Sequence, residues 1–134
     1  MAEASINKHT LLGRLGKDPQ IKYTNDRAVA NFDVATGESW KDRSTGQWKS
    51  AVEWHKVVAW GKLAEIVEKH VHKGDMVFIE GPVKTSKWTK TDGTVQFTRQ
   101  TVANTVQVVV RAGGTPGRQE EQPDENEGQE DDEV

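Results

Sequence analysis

Five tryptophans are the most unusual chemical feature of this sequence, because each of them has a lysine within two residues. The pairs are Trp40 with Lys41, Trp48 with Lys49, Trp54 with Lys56, Trp60 with Lys62, and Trp88 with Lys87 and Lys90. Indole rings stack on bases of any type, while ammonium groups neutralise the phosphates between them. The pattern therefore predicts that the tryptophans stack on single-stranded nucleic acid and that these lysines contact its phosphates.

A buried role is the alternative for each tryptophan, because tryptophans also build cores and protein interfaces. Trp40 and Trp88 lie in the polar stretches ESWKD and SKWTK, where a core role is least expected. Trp60 ends a strand-like segment just before Gly61, and burial remains open for it. Trp48 lies just past a turn, so both roles remain open for it.

The segment EWHKVVAWGK, residues 53–62, places two of these pairs close together. If it is a strand, Trp54, Lys56 and Trp60 leave the same face, and His55 and Val57 leave the other. A face that is both aromatic and cationic is an unusual way to build a core. The spacing therefore favours a ligand-binding face.

The segments that must position these residues alternate between short strands and turns. The strand-like segments are INKHTLLGRLG, AVANFDVAT, SAVEWHKVVAW, DMVFIEGPV and VQFTRQTVANTVQVVV. Only KLAEIVEKHVHKG has helical spacing, with Gly74 at its expected end. A hairpin that turns at Asp92-Gly93 is expected between the last two strands.

Three strands, one helix and two strands are the element order of the OB-fold, a five-stranded Greek-key barrel. The sequence therefore predicts an all-β OB-fold with one helix between strands 3 and 4. Such a barrel binds its ligand on the face of strands 2 and 3 and in the flanking loops. Most of the tryptophans fall on these elements.

The charge is divided between a basic domain and an acidic tail. Residues 1–112 hold 17 Lys and Arg against 12 Asp and Glu, whereas residues 113–134 hold one Arg against nine acidic residues. Val134 is the only large apolar residue of the tail. A segment of this composition cannot offset the entropy of ordering, so we predict an OB-fold domain over residues 1–112 and a disordered acidic tail over residues 113–134.

The composition argues against several classes of function. With no cysteine in 134 residues, neither a disulfide scaffold nor a thiolate metal site is expected. No segment approaches the roughly 18 apolar residues of a membrane span, and no signal-peptide pattern is present. No nucleophile, acid–base pair, metal-ligand set or phosphate-binding glycine motif stands out. We expect a cytoplasmic, non-catalytic protein with no cofactor and no metal.

Three blocks of the sequence closely resemble the bacterial-type single-stranded DNA-binding proteins, the SSB family. They are LLGRLGKDPQIKYT, VANFDVATGESWKDRSTGQWK and EWHKVVAWGKLAEIVEKHVHKGDMVFIEGPVKTSKWTKTDG. The resemblance covers most of residues 6–110. It implies a homotetrameric OB-fold protein of the bacterial cell, which binds single-stranded DNA without strong sequence preference during replication, recombination and repair.

The resemblance also implies roles for individual residues. The family stacks bases on aromatic residues at positions that are occupied here by Trp40, Trp54, Trp60 and Trp88. Trp60 stands where family members commonly have Phe, and Trp48 has no counterpart. His55 occupies the family's subunit-interface histidine position, so we expect it to support assembly.

The end of the chain departs from the family pattern. Cellular members typically end in an acidic stretch and an Ile-Pro-Phe type tip that docks on replication and repair enzymes, whereas this chain ends EDDEV. Binding of replication or repair proteins through the tail is therefore an open expectation. A phage- or plasmid-encoded relative is a hypothesis that fits this end, and a pull-down of host repair proteins through the tail would contradict it.

Two other functions would use the same pattern. A protein-interaction OB module would use the tryptophans as an interface, although lysine is depleted at protein interfaces. An RNA chaperone would keep the stacking platform, and the residues do not exclude RNA. A nuclease would need a metal or nucleophile set that the sequence does not offer.

The division of charge leads to the first prediction. Deleting residues 113–134 should tighten binding to oligo(dT), most visibly at low salt, because the acidic tail competes with DNA for the basic domain. Titrations of the full and truncated chains at two salt concentrations measure the effect. Equal affinities at low salt would argue against competition.

Overall fold

The computed structural model describes residues 3–113, which form eight strands and one helix. In chain order these are β1 (His9–Leu15), β2 (Gln20–Thr24), β3 (Arg27–Lys41), β4 (Trp48–Trp60), α1 (Lys62–His70), β5 (Met76–Gly81), β6 (Val83–Thr89), β7 (Val95–Val102) and β8 (Thr105–Val110). The five predicted strands correspond to β1, β3, β4, β5 and the successive segments β7 and β8. The predicted helix is α1, and it follows the third of these strands as expected.

All eight strands belong to one sheet in the order β6-β7-β4-β3-β1-β5-β8, with β2 paired to β3. Every pairing is antiparallel except for the parallel contact between β4 and β7. The sheet does not close. Residues 103–104, which connect β7 to β8, lie between β4 and β5 and contact both strands. There the Ala103 N–H donates to the Val58 oxygen and the Asn104 N–H donates to the Glu80 oxygen, both at 2.8 Å. This arrangement confirms the predicted OB-fold class.

The core lies on the inner face of the sheet. Phe32 of β3 pairs with Val57 of β4 and Ala30 pairs with Ala59, and all four side chains are buried. β1, β3, β5 and α1 add further buried residues to the same cluster, among them Leu11, Leu15, Val34, Ala64, Val67, Val77 and Ile79. None of the five tryptophans belongs to this core.

β2 is a strand that the sequence pattern does not predict. In QIKYT only Ile21 and Tyr23 alternate with polar residues, which is too short a pattern to predict a strand, and four of its five residues are exposed. All five residues pair with β3 across a tight turn in which Asn25 and Asp26 have φ values of 51° and 65°. Two consecutive residues with positive φ form a type I′ hairpin turn, and Asn and Asp tolerate that conformation. The Asn-Asp dipeptide is therefore the feature of the sequence from which this hairpin turn could have been predicted.

α1 ends before the predicted stop at Gly74. Val71 is already extended, with φ −110° and ψ 127°. The buried carboxylate of Asp75 accepts the backbone N–H groups of His72 and Ala112, each at 2.9 Å. In a longer helix the His72 N–H would bond within the helix and could not satisfy this carboxylate.

β3 and β4 continue beyond the core as a two-stranded ribbon. Past the Thr36–Glu53 pair, both strands are exposed as far as Lys41 and Trp48. Hydrogen bonds across the loop of residues 42–47 close the ribbon, including the Asp42 N–H to the Gln47 oxygen at 2.8 Å. The ribbon buries no core residue, so its side chains are available for a ligand.

The predicted tail falls outside the described residues from residue 114 onward, so its disorder and the domain boundary at residue 112 stay predictions. Within residues 3–113, no helix is both long enough and apolar enough to cross a membrane.

Candidate nucleic-acid interface

All five tryptophans lie at the surface. Their exposed fractions are 45% for Trp40, 71% for Trp48, 55% for Trp54, 39% for Trp60 and 48% for Trp88. The alternative that they build this chain's core is therefore wrong. Rings exposed to this extent present part of their faces or edges to a ligand.

The outer face of β4 brings Trp54, Lys56 and Trp60 together, as the strand parity predicts. Trp54 and Trp60 are six residues apart, which corresponds to about 20 Å along a strand. Opposite these three residues on β3 lie, in the same order, Ala35, Asp33 and Val29. Each of these side chains is shorter than an indole, so the rings stand above the sheet.

Trp60 has a cationic neighbour that the sequence analysis misses. The guanidinium carbon of Arg27 lies 5.1 Å from the centroid of the Trp60 ring, which is a cation–π contact. Arg27 begins β3 and Trp60 ends β4, so the antiparallel pairing of the two strands brings them together. A base on the opposite ring face would have this guanidinium nearby for a phosphate. No local signal in the sequence links the two residues.

Trp54 rests against Gly16 in the loop between β1 and β2. A Cβ atom placed on Gly16 would lie 2.6 Å from Cη2 and 3.0 Å from Cζ3 of the indole. Only glycine leaves room for the ring in this position. Gly16 therefore helps to orient Trp54.

Two grooves border Trp54 and Lys56. One, of about 580 Å³, is lined on its other sides by the loop after β1 and by Gln20, Asn31 and Asp33. The second, of about 480 Å³, is lined by Arg99 and Gln100 of β7 among others. Arg99 is a further cation that the sequence analysis does not single out.

The ribbon pairs its tryptophans and lysines across strands rather than along them. Trp40 lies opposite Lys49, and Lys41 lies opposite Trp48. Because consecutive residues of a strand point to opposite faces, each tryptophan shares its face with the lysine of the other strand. Trp48 and Lys41 continue the face of Trp54, while Trp40 and Lys49 occupy the reverse face. Sequence neighbours therefore do not share a face in these two pairs.

The hairpin of β6 and β7 presents Trp88 and turns at Asp92-Gly93 as predicted, with φ 91° at Gly93. The Trp88 Nε1–H donates to Thr98 Oγ1 at 3.0 Å, which fixes the orientation of the indole. Lys87 points to the other face, where it pairs with Phe97.

Phe97 is an aromatic residue that the sequence analysis misses, although 67% of it is exposed. It lies within the polar run QFTRQ on the exposed arm of a hairpin. That polar setting was the available signal, because a core residue would be flanked by apolar alternation.

The predicted lysines are all exposed, but one of them already forms a salt bridge. Lys49 Nζ lies 3.0 Å from a carboxylate oxygen of Asp42, and this bond, with the Ser44 N–H, holds the pKa of Asp42 below its usual value. Within residues 3–113, the remaining predicted lysines form no ion pair: Lys41, Lys56, Lys62, Lys87 and Lys90. These five can contact phosphates without first breaking a salt bridge.

His55 is half-buried where the ribbon leaves the barrel. One ring nitrogen, Nε2, shares a hydrogen bond with Thr36 Oγ1 at 2.8 Å, and the ring meets His9 edge-on with centroids 5.3 Å apart. Burial, and secondarily His55, lowers the pKa of His9, whose Nδ1 shares a hydrogen bond with Thr101 Oγ1 at 2.7 Å. The two histidines are thus part of a polar cluster, and the predicted role of His55 in assembly stays a prediction.

A small, partly open β-barrel with exposed tryptophans and unengaged cations along its second and third predicted strands is typical of the nucleic-acid-binding OB-folds. Residues 6–109 match the Single-strand binding protein family, and the chain belongs to that family. It is also similar to a solved structure, the Plasmodium falciparum SSB complex with ssDNA, at 32% sequence identity and a TM-score of 0.71. That match covers 82% of this chain and 98% of the other. The matches confirm the family resemblance, while a phage or plasmid source stays a hypothesis.

The contact between Gly16 and Trp54 leads to the second prediction. Gly16→Ala should displace the exposed indole, because the added methyl group meets the ring rather than the backbone. We expect affinity for oligo(dT) to fall about threefold to tenfold, a part of the stacking energy of one base, with little change in the denaturation midpoint.

Gly37→Ala is the matched control, since its Cβ would lie 3.6 Å from the Ala51 oxygen, an ordinary contact. If Gly16 acts through Trp54, then Gly16→Ala should have no further effect in a Trp54→Ala background. A loss of equal size in that background would show that Gly16 acts in another way.

Proposed function

We propose that the protein binds single-stranded DNA without strong sequence preference and coats it during replication, recombination and repair. The exposed Trp54, Lys56 and Trp60 on one face of β4 are the observation that carries the proposal. Membership of the single-strand binding family supports it, as does the similarity to an SSB complex with ssDNA. Indoles stack on every base, so this face favours single strands over particular sequences.

The proposed path of the strand follows the outer face of β4. It runs between the two grooves at Trp54, with Trp60 and Arg27 at one end and Trp48 and Lys41 at the other. Because Trp40 and Lys49 occupy the reverse face of the ribbon, a strand that reaches them must pass around the ribbon. Trp88, with Lys87 and Lys90 nearby, extends the surface onto the hairpin of β6 and β7. A path with these turns supports wrapping of the DNA.

Affinity in this proposal has two parts. Contacts between cations and phosphates release counterions, so this part weakens as salt rises. Stacking on the indoles is less sensitive to salt and should persist. The role is non-catalytic and needs no cofactor, so magnesium-dependent loss of DNA integrity would contradict it.

We also propose that the protein assembles as a homotetramer, the state that the family resemblance implies. The outer face of β1, β5 and β8 supports self-association, because Leu12 is 55% exposed beside Phe78, and Val109 is 52% exposed. An apolar surface of this kind commonly marks an interface. His55 lies at a different, half-buried position and is proposed to support assembly there.

The proposed assembly leads to the third prediction. Light scattering should give the mass of four chains, and Leu12→Glu should lower that mass because it introduces a charge into the apolar face. Gln47→Glu is the control, because it adds the same charge at an exposed position in the ribbon loop, outside β1, β5 and β8, and should leave the mass unchanged. A monomeric mass for the unaltered chain would contradict the assembly but not DNA binding.

The proposed stacking leads to the fourth prediction. Trp54→Ala and Trp88→Ala should each weaken oligo(dT) binding by about fivefold or more, since each removes the stacking surface for a base. Because both rings are exposed, the far-UV circular dichroism should not change. Quenching of the remaining tryptophan fluorescence measures the affinity, at low and high salt.

Ile66→Ala is the control for this pair, because it removes an exposed apolar side chain from α1, which carries none of the tryptophans. Duplex DNA should quench weakly, and oligo(U) tests the RNA alternative. Quenching by the duplex as strong as that by oligo(dT) would contradict the proposal. Tighter binding to oligo(U) than to oligo(dT) would favour an RNA chaperone instead.

A further inference from the structure

Asp33 is a feature of the β4 face that the proposed function does not explain. It lies opposite Lys56 in the register and lines the groove beside Trp54. DNA carries one negative charge per nucleotide, so a carboxylate in a groove that bound only the backbone would weaken binding. Its position therefore suggests that something other than phosphate occupies this groove.

The side chain of Asp33 is an open acceptor. Within residues 3–113 it has neither a hydrogen-bond nor an ion-pair partner, and Lys56 lies beyond ion-pair distance. Asp18, in the same groove, differs because it accepts the Lys73 N–H at 2.7 Å. Asp33 is therefore free to accept a hydrogen bond from a ligand, whereas Asp18 is already engaged in holding the loop.

The groove combines a stacking wall with a polar edge. The Trp54 indole is held against Gly16, and Asn31 and Asp33 lie on the same outer face of the adjacent strand. Asp33 is the diagonal neighbour of Trp54 across the two strands, a position about 7–8 Å away and within reach of a large side chain or its ligand. A base stacked on the indole would therefore extend its edge toward Asp33, whereas Asn31 lies two residues further along β3, opposite Val58. A volume of about 580 Å³ is ample for one nucleobase.

We propose that this groove reads the edge of a base stacked on Trp54, and that Asp33 favours cytosine over thymine there. The carboxylate of Asp33 can accept a hydrogen bond from the N4 amine of cytosine, whereas thymine presents the O4 acceptor at that position. The inference rests on the proposed function, and it adds a base preference to a surface that otherwise binds any single strand.

The test compares the affinities for oligo(dC), oligo(dT) and oligo(dU) of equal length at one salt concentration. Fluorescence anisotropy of the labelled oligonucleotides measures them for the unaltered chain and for Asp33→Asn. The preference for oligo(dC) over oligo(dT) should fall about fivefold in the variant, because an amide can also donate to the O4 of thymine. Oligo(dU) should behave like oligo(dT), since the proposed contacts do not touch the methyl group.

Glu38→Gln is the matched control, because it removes the same charge from the reverse face of the ribbon, opposite Ala51. Loss of either carboxylate should tighten binding to every strand through the phosphates. Only Asp33→Asn should change the ratio of the affinities for oligo(dC) and oligo(dT). In a Trp54→Ala background, Asp33→Asn should leave that ratio unchanged, because the base is no longer held in place.

Two results would overturn the inference, and they differ in what they say about the protein. If Asp33→Asn tightens the binding of all three oligonucleotides equally, as is expected for Glu38→Gln, the Asp33 carboxylate only repels phosphates and does not recognise a base. If the unaltered chain binds none of the oligonucleotides, the proposed function fails and the base preference fails with it.

Discussion

The register between β3 and β4 is the constraint on which both the core and the proposed DNA-binding face depend. It joins thirteen residue pairs, from Val29 with Trp60 to Lys41 with Trp48. Because directly opposed side chains share a face, a slip of one residue would place the indoles of β4 on the same face as Phe32. Burial of Phe32 and Val57 therefore keeps the aromatic residues in contact with solvent, and the stability of the core and the availability of the site have the same origin.

The proposed site is assembled across strands rather than along one of them. Arg27 reaches Trp60 from the start of β3, and Gly16 supports Trp54 from the loop after β1. In the ribbon, too, the paired residues belong to different strands, since Trp40 of β3 lies opposite Lys49 of β4. Because several elements support the stacking surface, the fold holds each ring in place before DNA binds. Less side-chain entropy is therefore lost on binding.

The charges of the face serve more than one purpose. Lysines and arginines around the rings suit phosphates, whereas Asp33 stands among them without a partner in the described residues. Other carboxylates are used inside the structure, for example Asp75 beneath the end of α1 and Asp42 in the ribbon loop. We therefore propose that Asp33 contacts a base rather than supporting the fold.

The sequence by itself determined the element order, the single helix, the turn at Asp92-Gly93 and the tryptophans as the candidate binding residues. These depend on local spacing and residue type, which a chain carries wherever it folds. Only the tertiary structure decided that β2 is a strand, that the Arg27 guanidinium lies over the Trp60 ring, and that Trp40 shares its face with Lys49 rather than with Lys41. Strand pairing joins residues that are distant in sequence, and alternation tells which face a side chain takes but not which neighbour it meets there.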